Sequence, residues 1–200
     1  MLLAFLFTSE AWGVHVVSPQ AHIDIRTEKV THIQGWMEDS AIPSFVAEQL
    51  AFLNYPGDRV VVINSGGGII DTGYQMLANI WAEQGLGAKV ICVVTKHASS
   101  MAFNLLGYCD VKLATKNSQF LVHKVECQFY VGQRQTAKAH RELAAIAEKV
   151  DEPFRQRNSR LMHLTLPKYD KYADDETVWT AEQLLNMHYL DGLATVTDDN

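Results

Sequence analysis

Val90-Ile91-Cys92-Val93-Val94-Thr95-Lys96-His97-Ala98-Ser99-Ser100-Met101-Ala102-Phe103-Asn104-Leu105-Leu106 runs from an apolar, strand-like segment through a short turn into an apolar, helix-like one. A serine at a strand-to-helix turn has its hydroxyl at the positive end of a helix, among backbone N–H groups with no partner inside that helix. A nucleophile can be presented to a carbonyl from such a place. A serine before a helix is more often only an N-cap, so Ser100 alone decides little.

Two further pieces lie elsewhere in the chain. Val60-Val61-Val62-Ile63 reads as a fully buried strand, and Asn64-Ser65-Gly66-Gly67-Gly68 follows it before a helical pattern begins at Ile69. Consecutive glycines carry an entropic penalty, so the turn is expected to need positive φ or close backbone approach. Glycine amides at the head of a helix can aim two N–H donors at one developing negative charge. A phosphate-binding loop does not fit, because no Lys-Ser/Thr follows the last glycine. His123 ends the apolar segment Ser118–Val122, and an imidazole titrates close enough to neutrality to serve as a general base. Each piece has an ordinary structural explanation: a flexible loop, a capping serine, a strand-end histidine. Their combination in a repeating α/β chain points to acyl transfer.

Strands are expected at Val60–Ile63, Lys89–Val94, Asp110–Ala114 and Gln119–Val122, and helices at Pro43–Leu53, Ile69–Gln84 and Met101–Leu106. The segment from Gln133 to Leu164 reads as a long helix. Ala139, Leu143, Ile146, Ala147, Val150 and Phe154 recur there at helical spacing, so one face must pack on something. Asp151 stands at the right spacing to pair with Arg155. Pro153 inside this helix removes a hydrogen bond and costs about 3 kcal/mol, which predicts a kink or two helices meeting near Glu152.

The 200 residues are 48% hydrophobic, enough for one well-filled domain without an evident linker or internal repeat. A net charge of −6 and the lack of an Arg/Lys cluster argue against a nucleic-acid binder. Cys92, Cys109 and Cys127 form no C-x-x-C pair, which fits reduced, buried thiols in a cytoplasm better than a disulfide frame or a zinc site. Met1–Phe7 is apolar but too short to span a membrane, and no lysine or arginine precedes Arg26. It is read as a strand or an arm that packs on a neighbour.

Ile63-Asn64-Ser65-Gly66-Gly67-Gly68, Ala98-Ser99-Ser100-Met101, Val122-His123 and Thr180-Ala181-Glu182-Gln183 with Leu190-Asp191-Gly192-Leu193 stand in a recognisable order and spacing. Together they resemble the ClpP peptidase family, the proteolytic subunit of the Clp proteases, with phage-encoded relatives. Val30–Asp39 resembles that family's first strand and turn, and Gly132-Gln133 the start of its long handle helix. The resemblance runs from about Glu28 to about Val196. It implies an α/β fold, a ClpP/crotonase-like spiral of ββα units with a protruding handle helix at about 125–164. Residues 1–27 would form an N-terminal arm, and 28–200 the peptidase domain.

Carried over by position, the resemblance implies a serine endopeptidase with Ser100 as nucleophile, His123 as base and the N–H groups of Gly67 and Met101 as oxyanion hole. The third member falls on Glu176, where the family usually has aspartate. Asp175 remains a rival, and a solvated turn is the ordinary alternative for both. Substrate would add as a β-strand along Gly67–Ile70 and Lys124–Phe129, so Gly68, Ile69, Lys124 and Val125 are candidate substrate contacts. No cofactor or metal is implied. Expected partners are further copies of the chain in rings, an AAA+ unfoldase, and peptide or unfolded-protein substrates in the cytoplasm, with no membrane. The Glu-Thr-x-Trp-Thr-Ala run resembles the phage branch, whose members can act on capsid proteins. Lys96 stands where the family commonly has glycine and Gly66 where it has proline, which marks a divergent member. Two other readings stay open: a catalytically impaired ring subunit, and a crotonase-type acyl-CoA enzyme, which would need no Ser-His pair.

Overall fold

The computed structural model describes residues 15–17, 20–24, 30–50, 57–126 and 136–197. The apolar N-terminal stretch, Cys127 and the start of the handle segment lie outside these. The strands are β1 (His15–Val17), β2 (Gln20–Asp24), β3 (Val30–Met37), β4 (Arg59–Gly68), β5 (Val90–Ser99), β6 (Val111–Ala114), β7 (Gln119–Leu121), β8 (Val178–Thr180) and β9 (Gly192–Thr197). The helices are α1 (Ile42–Leu50), α2 (Ile70–Gly85), α3 (Met101–Leu106), α4 (Ala137–Leu161), α5 (Leu166–Asp174) and α6 (Ala181–Asn186). One mixed sheet runs β1-β2-β9-β6-β5-β4-β3, with β7 on β5 and β8 on β7. The segment expected as an N-terminal arm thus contributes β1 and β2 to this sheet.

The unbroken apolar runs of β4 and β5 follow from parallel pairing with both faces covered. Val61, Ile63, Cys92 and Val94 face a core shared with Met76, Leu77 and Ile80 of α2 and Phe103 of α3. The alternate residues Val60, Val62, Ile91 and Val93 face a second cluster with Ala21, Ile23, Val30, Leu113 and Ala194. Every buried member of that second cluster sits on a strand, and β2 and β3, far apart in strand order, both contribute. The sheet therefore curls over its own inner face.

β5 serves two neighbours in succession. Its first half pairs with β6 through Ile91–Val94, and its last turn of chain pairs with β7 through His97–Ser99. The step between β6 and β7 is fastened by side chains: Thr115 Oγ1 donates to the Thr95 carbonyl at 2.8 Å and Ser118 Oγ to the Val94 carbonyl at 2.9 Å. This step sets the strand before His123 beside the strand before Ser100.

Two expectations are corrected. Of the two outcomes expected at Pro153, two helices meeting near Glu152 is overturned, because Pro153 lies inside one continuous helix, α4, on its exposed side. Cys92 and Cys109 are joined by a disulfide, so two of the three cysteines are not free thiols. In α4 the buried residues are Asp151, Phe154, Asn158 and Ser159, while Ile146 is 57% exposed. The N-terminal half of the helix projects beyond the core. The Asp151–Arg155 pair forms at 3.8 Å, but Arg155 makes its closer contacts with Asp170 of α5, two hydrogen bonds of 2.7 and 2.5 Å.

Candidate active site

Ser100 occupies the N-cap position of α3 with φ 53° and ψ −124°, a left-handed conformation that few non-glycine residues adopt. Its N–H donates to the Leu121 carbonyl at 2.9 Å, and its carbonyl accepts from the Asn104 N–H at 3.1 Å. The hydroxyl makes no cap bond to its own helix, whereas Thr136 and Thr180 do cap theirs. The ordinary reading of a capping serine thus fails at Ser100. Its hydroxyl is left for other chemistry.

Gly67 (φ 91°) lies against this turn. A Cβ there would sit 2.6 Å from the Ser99 carbonyl oxygen, 2.7 Å from Ser100 Cβ and 2.9 Å from the Met101 nitrogen. Only a glycine lets the two backbones come this close. At Gly68 (φ 149°) the obstacle would be the Met37 backbone. Gly66 has open space where a side chain would go, so the glycine requirement expected of all three holds for the last two. The Gly67 N–H donates to Ser65 Oγ at 3.1 Å, a bond that an incoming oxyanion would have to share.

His123 follows Leu121, the partner of Ser100, by two residues and is half-buried. Ser100, Gly67 and His123 therefore stand at the carboxyl ends of the parallel strands β5, β4 and β7, the end of an α/β sheet where ligands bind. An open cleft of about 410 Å³ has His123, Gly68, Ile69, Ile70, Asp71, Trp36 and Glu126 for walls. Trp36 and Ile69 are 59% and 45% exposed, so the cleft offers apolar surface next to the imidazole. Lys96 faces a separate depression with Thr95, His97 and Ser99. The Ile69 N–H is taken by the Met37 carbonyl at 2.7 Å, so it does not lie open to a substrate strand.

The acidic position is placed differently. Glu176 is exposed, with φ 48°, immediately after the last residues of α5. Its N–H donates to the Ala173 carbonyl and that of Thr177 to the Tyr172 carbonyl, the paired bonds that close a helix through a left-handed residue. Among the described residues no hydrogen bond or ion pair links Glu176 or Asp175 to His123. The His123 Nδ1 instead lies 2.6 Å from the Lys124 carbonyl oxygen. That contact, between neighbours in sequence, carries no signal in a pattern of residues.

The family pattern described as Clp protease matches residues 23–187, most of the chain. The chain belongs to the Clp protease family. Members of the Clp protease family are in general serine peptidases that form rings and work with AAA+ unfoldases, and the curled α/β sheet with its handle helix agrees with the ClpP fold. No curated protein matches the chain. Among the described residues no helix is long and apolar enough to cross a membrane, and no group of His, Cys, Asp and Glu is arranged to hold a metal ion.

Proposed function

We propose that this chain is an active serine endopeptidase in which Ser100 attacks the peptide carbonyl and His123 takes its proton, then returns it to the leaving amine. The N–H groups of Met101 and Gly67 stabilise the oxyanion, the latter sharing its donor with Ser65. The observation that carries this reading is Ser100 itself, strained at positive φ, with a hydroxyl unused in capping and Gly67 pressed against its turn. Trp36, Ile69 and Ile70 would receive apolar side chains of an unfolded substrate, within a ring of identical subunits fed by an unfoldase.

Ser100→Ala is expected to keep the fold and to abolish both cleavage of a fluorogenic peptide and labelling by a serine-directed phosphonate. Labelling that persists in this variant would overturn the assignment. Among the described residues no carboxylate is bonded to His123, which favours a second reading, a ring subunit with impaired catalysis. Wild-type protein that ignores both peptide and phosphonate would select it.

A further inference from the structure

The cleft beside His123 holds charge as well as apolar surface. Two carboxylates stand among its walls: Asp71 in the first turn of α2, and Glu126 in the segment after His123, outside any helix or strand. Both residues are exposed, and among the described residues neither side chain has a hydrogen-bond or ion-pair partner. The cation nearest in sequence is engaged elsewhere, since the Lys124 ammonium meets Asp174 of α5 at 2.6 Å. Among the described residues no lysine or arginine lines the cleft to offset the two negative charges. A place in a first turn accounts for Asp71, because an acid there favours the helix dipole. Nothing similar accounts for Glu126.

The rest of the wall suits what these carboxylates attract. A lysine or arginine side chain is a long apolar stem with a cationic tip. The stem can lie along the exposed faces of Ile69 and Trp36, and an indole face itself attracts a cation. A leucine would cover the apolar wall and leave both carboxylates to water. A glutamate would bring a third negative charge beside them. The net charge of −6 also draws positively charged segments toward the protein.

We propose that this cleft selects substrates with a lysine or arginine flanking the scissile bond, the stem on Trp36 and Ile69 and the cationic tip between Glu126 and Asp71. The proposal rests on the serine peptidase reading and names the substrate class of the same site. Both carboxylates are open to solvent, so the selectivity is limited to about five- to tenfold and falls as salt screens the charges.

The test measures kcat/KM of the full-length protein on matched fluorogenic peptides that carry Lys, Leu or Glu on one side of the scissile bond, then on the other. At one of the two positions Lys is expected to exceed Leu about five- to tenfold at low salt, and Glu to trail Leu severalfold. The Lys-to-Leu ratio is expected to fall about threefold in Glu126→Gln and toward one in the double variant Glu126→Gln/Asp71→Asn, as it does for the wild type in about 1 M salt. Leu cleaved as fast as Lys or faster at both positions overturns the proposal, and so does a ratio that the double variant leaves unchanged. Should the double variant not fold, the single variants and the salt series make the same comparison. If the wild type neither cleaves any peptide nor takes a serine-directed phosphonate, the peptidase reading fails by itself. The cleft is then judged by fluorescence anisotropy of the same peptides on the wild type. Tighter binding of the Lys peptide, lost in Glu126→Gln, upholds the charge selectivity; binding no tighter than that of the Leu peptide overturns it.

Discussion

In the proposed site, a single hydrogen in place of a side chain at Gly67 decides whether the oxyanion hole can form. A methyl group there would press on the Ser99 carbonyl, Ser100 Cβ and the Met101 nitrogen, at a φ of 91° that alanine resists. Gly67→Ala is therefore expected to lower kcat on a peptide substrate by about 10²- to 10³-fold, the loss typical of one missing donor. Gly66→Ala, where a methyl meets open space, is the control and should stay within about twofold. Steady-state kinetics on the two variants, with melting curves, separates site damage from loss of fold. The Gly67 and Ser100 turns were legible in sequence because glycine runs and a serine between apolar segments are local signals. The surroundings of Glu176 were not. A carboxylate three residues either way satisfies the same pattern, and only the left-handed closure of α5 turns this one to solvent.

Elements with internal periodicity were equally readable. α2 and α3 fall where helical spacing puts them, while β4 and β5 begin with their apolar runs but continue past Ile63 and Val94 to Gly68 and Ser99, through the stretches read as turns. β8 did not show itself, since three residues carry no period. α6 instead owes its start to a capping box: the Thr180 hydroxyl accepts from the Gln183 N–H at 3.2 Å, and the Gln183 side chain accepts from the Thr180 N–H at 2.9 Å. Thr180→Ala is expected to destabilise the fold by about 1 kcal/mol, measured as a lower denaturant midpoint at unchanged slope. Pro153 shows the opposite limit of local reasoning. Its ring lies on the solvent side of α4, while Phe154 and Asn158 beside it are buried, so packing of the inner face holds the helix together despite the missing bond.

For the whole molecule the buried carboxylate of Asp151 sets a pH dependence. The folded chain holds its proton up to about pH 6, whereas the unfolded chain releases it near the ordinary value of 3.8. Between these values the folded state binds more protons, so this group's contribution to stability falls as pH rises through the window and stays lower above it. Asp151→Asn has no charge to bury. It is expected to match the wild type near pH 4 and to exceed it by about 1–2 kcal/mol at pH 7, a figure kept below the full shift because solvent reaches the groove along α4. Thermal melts at both pH values read the difference, and a wild type that is the more stable at pH 7 would contradict the sign.

The sequence by itself determined the parts: parallel strands of unbroken apolar residues, glycines that need positive φ, a serine between strand and helix, a long polar helix. These are set by side-chain volume, hydropathy and backbone freedom, which act within a few residues of each other. Tertiary structure alone decided which groups meet. The step from β6 to β7 along β5 carries His123 toward Ser100, the curl of the sheet buries its inner face, and Cys92 and Cys109 are joined across the turn. It also set a backbone carbonyl, where a carboxylate was expected, against the imidazole. Such meetings depend on the register and burial of distant segments, and no local pattern of residues records them.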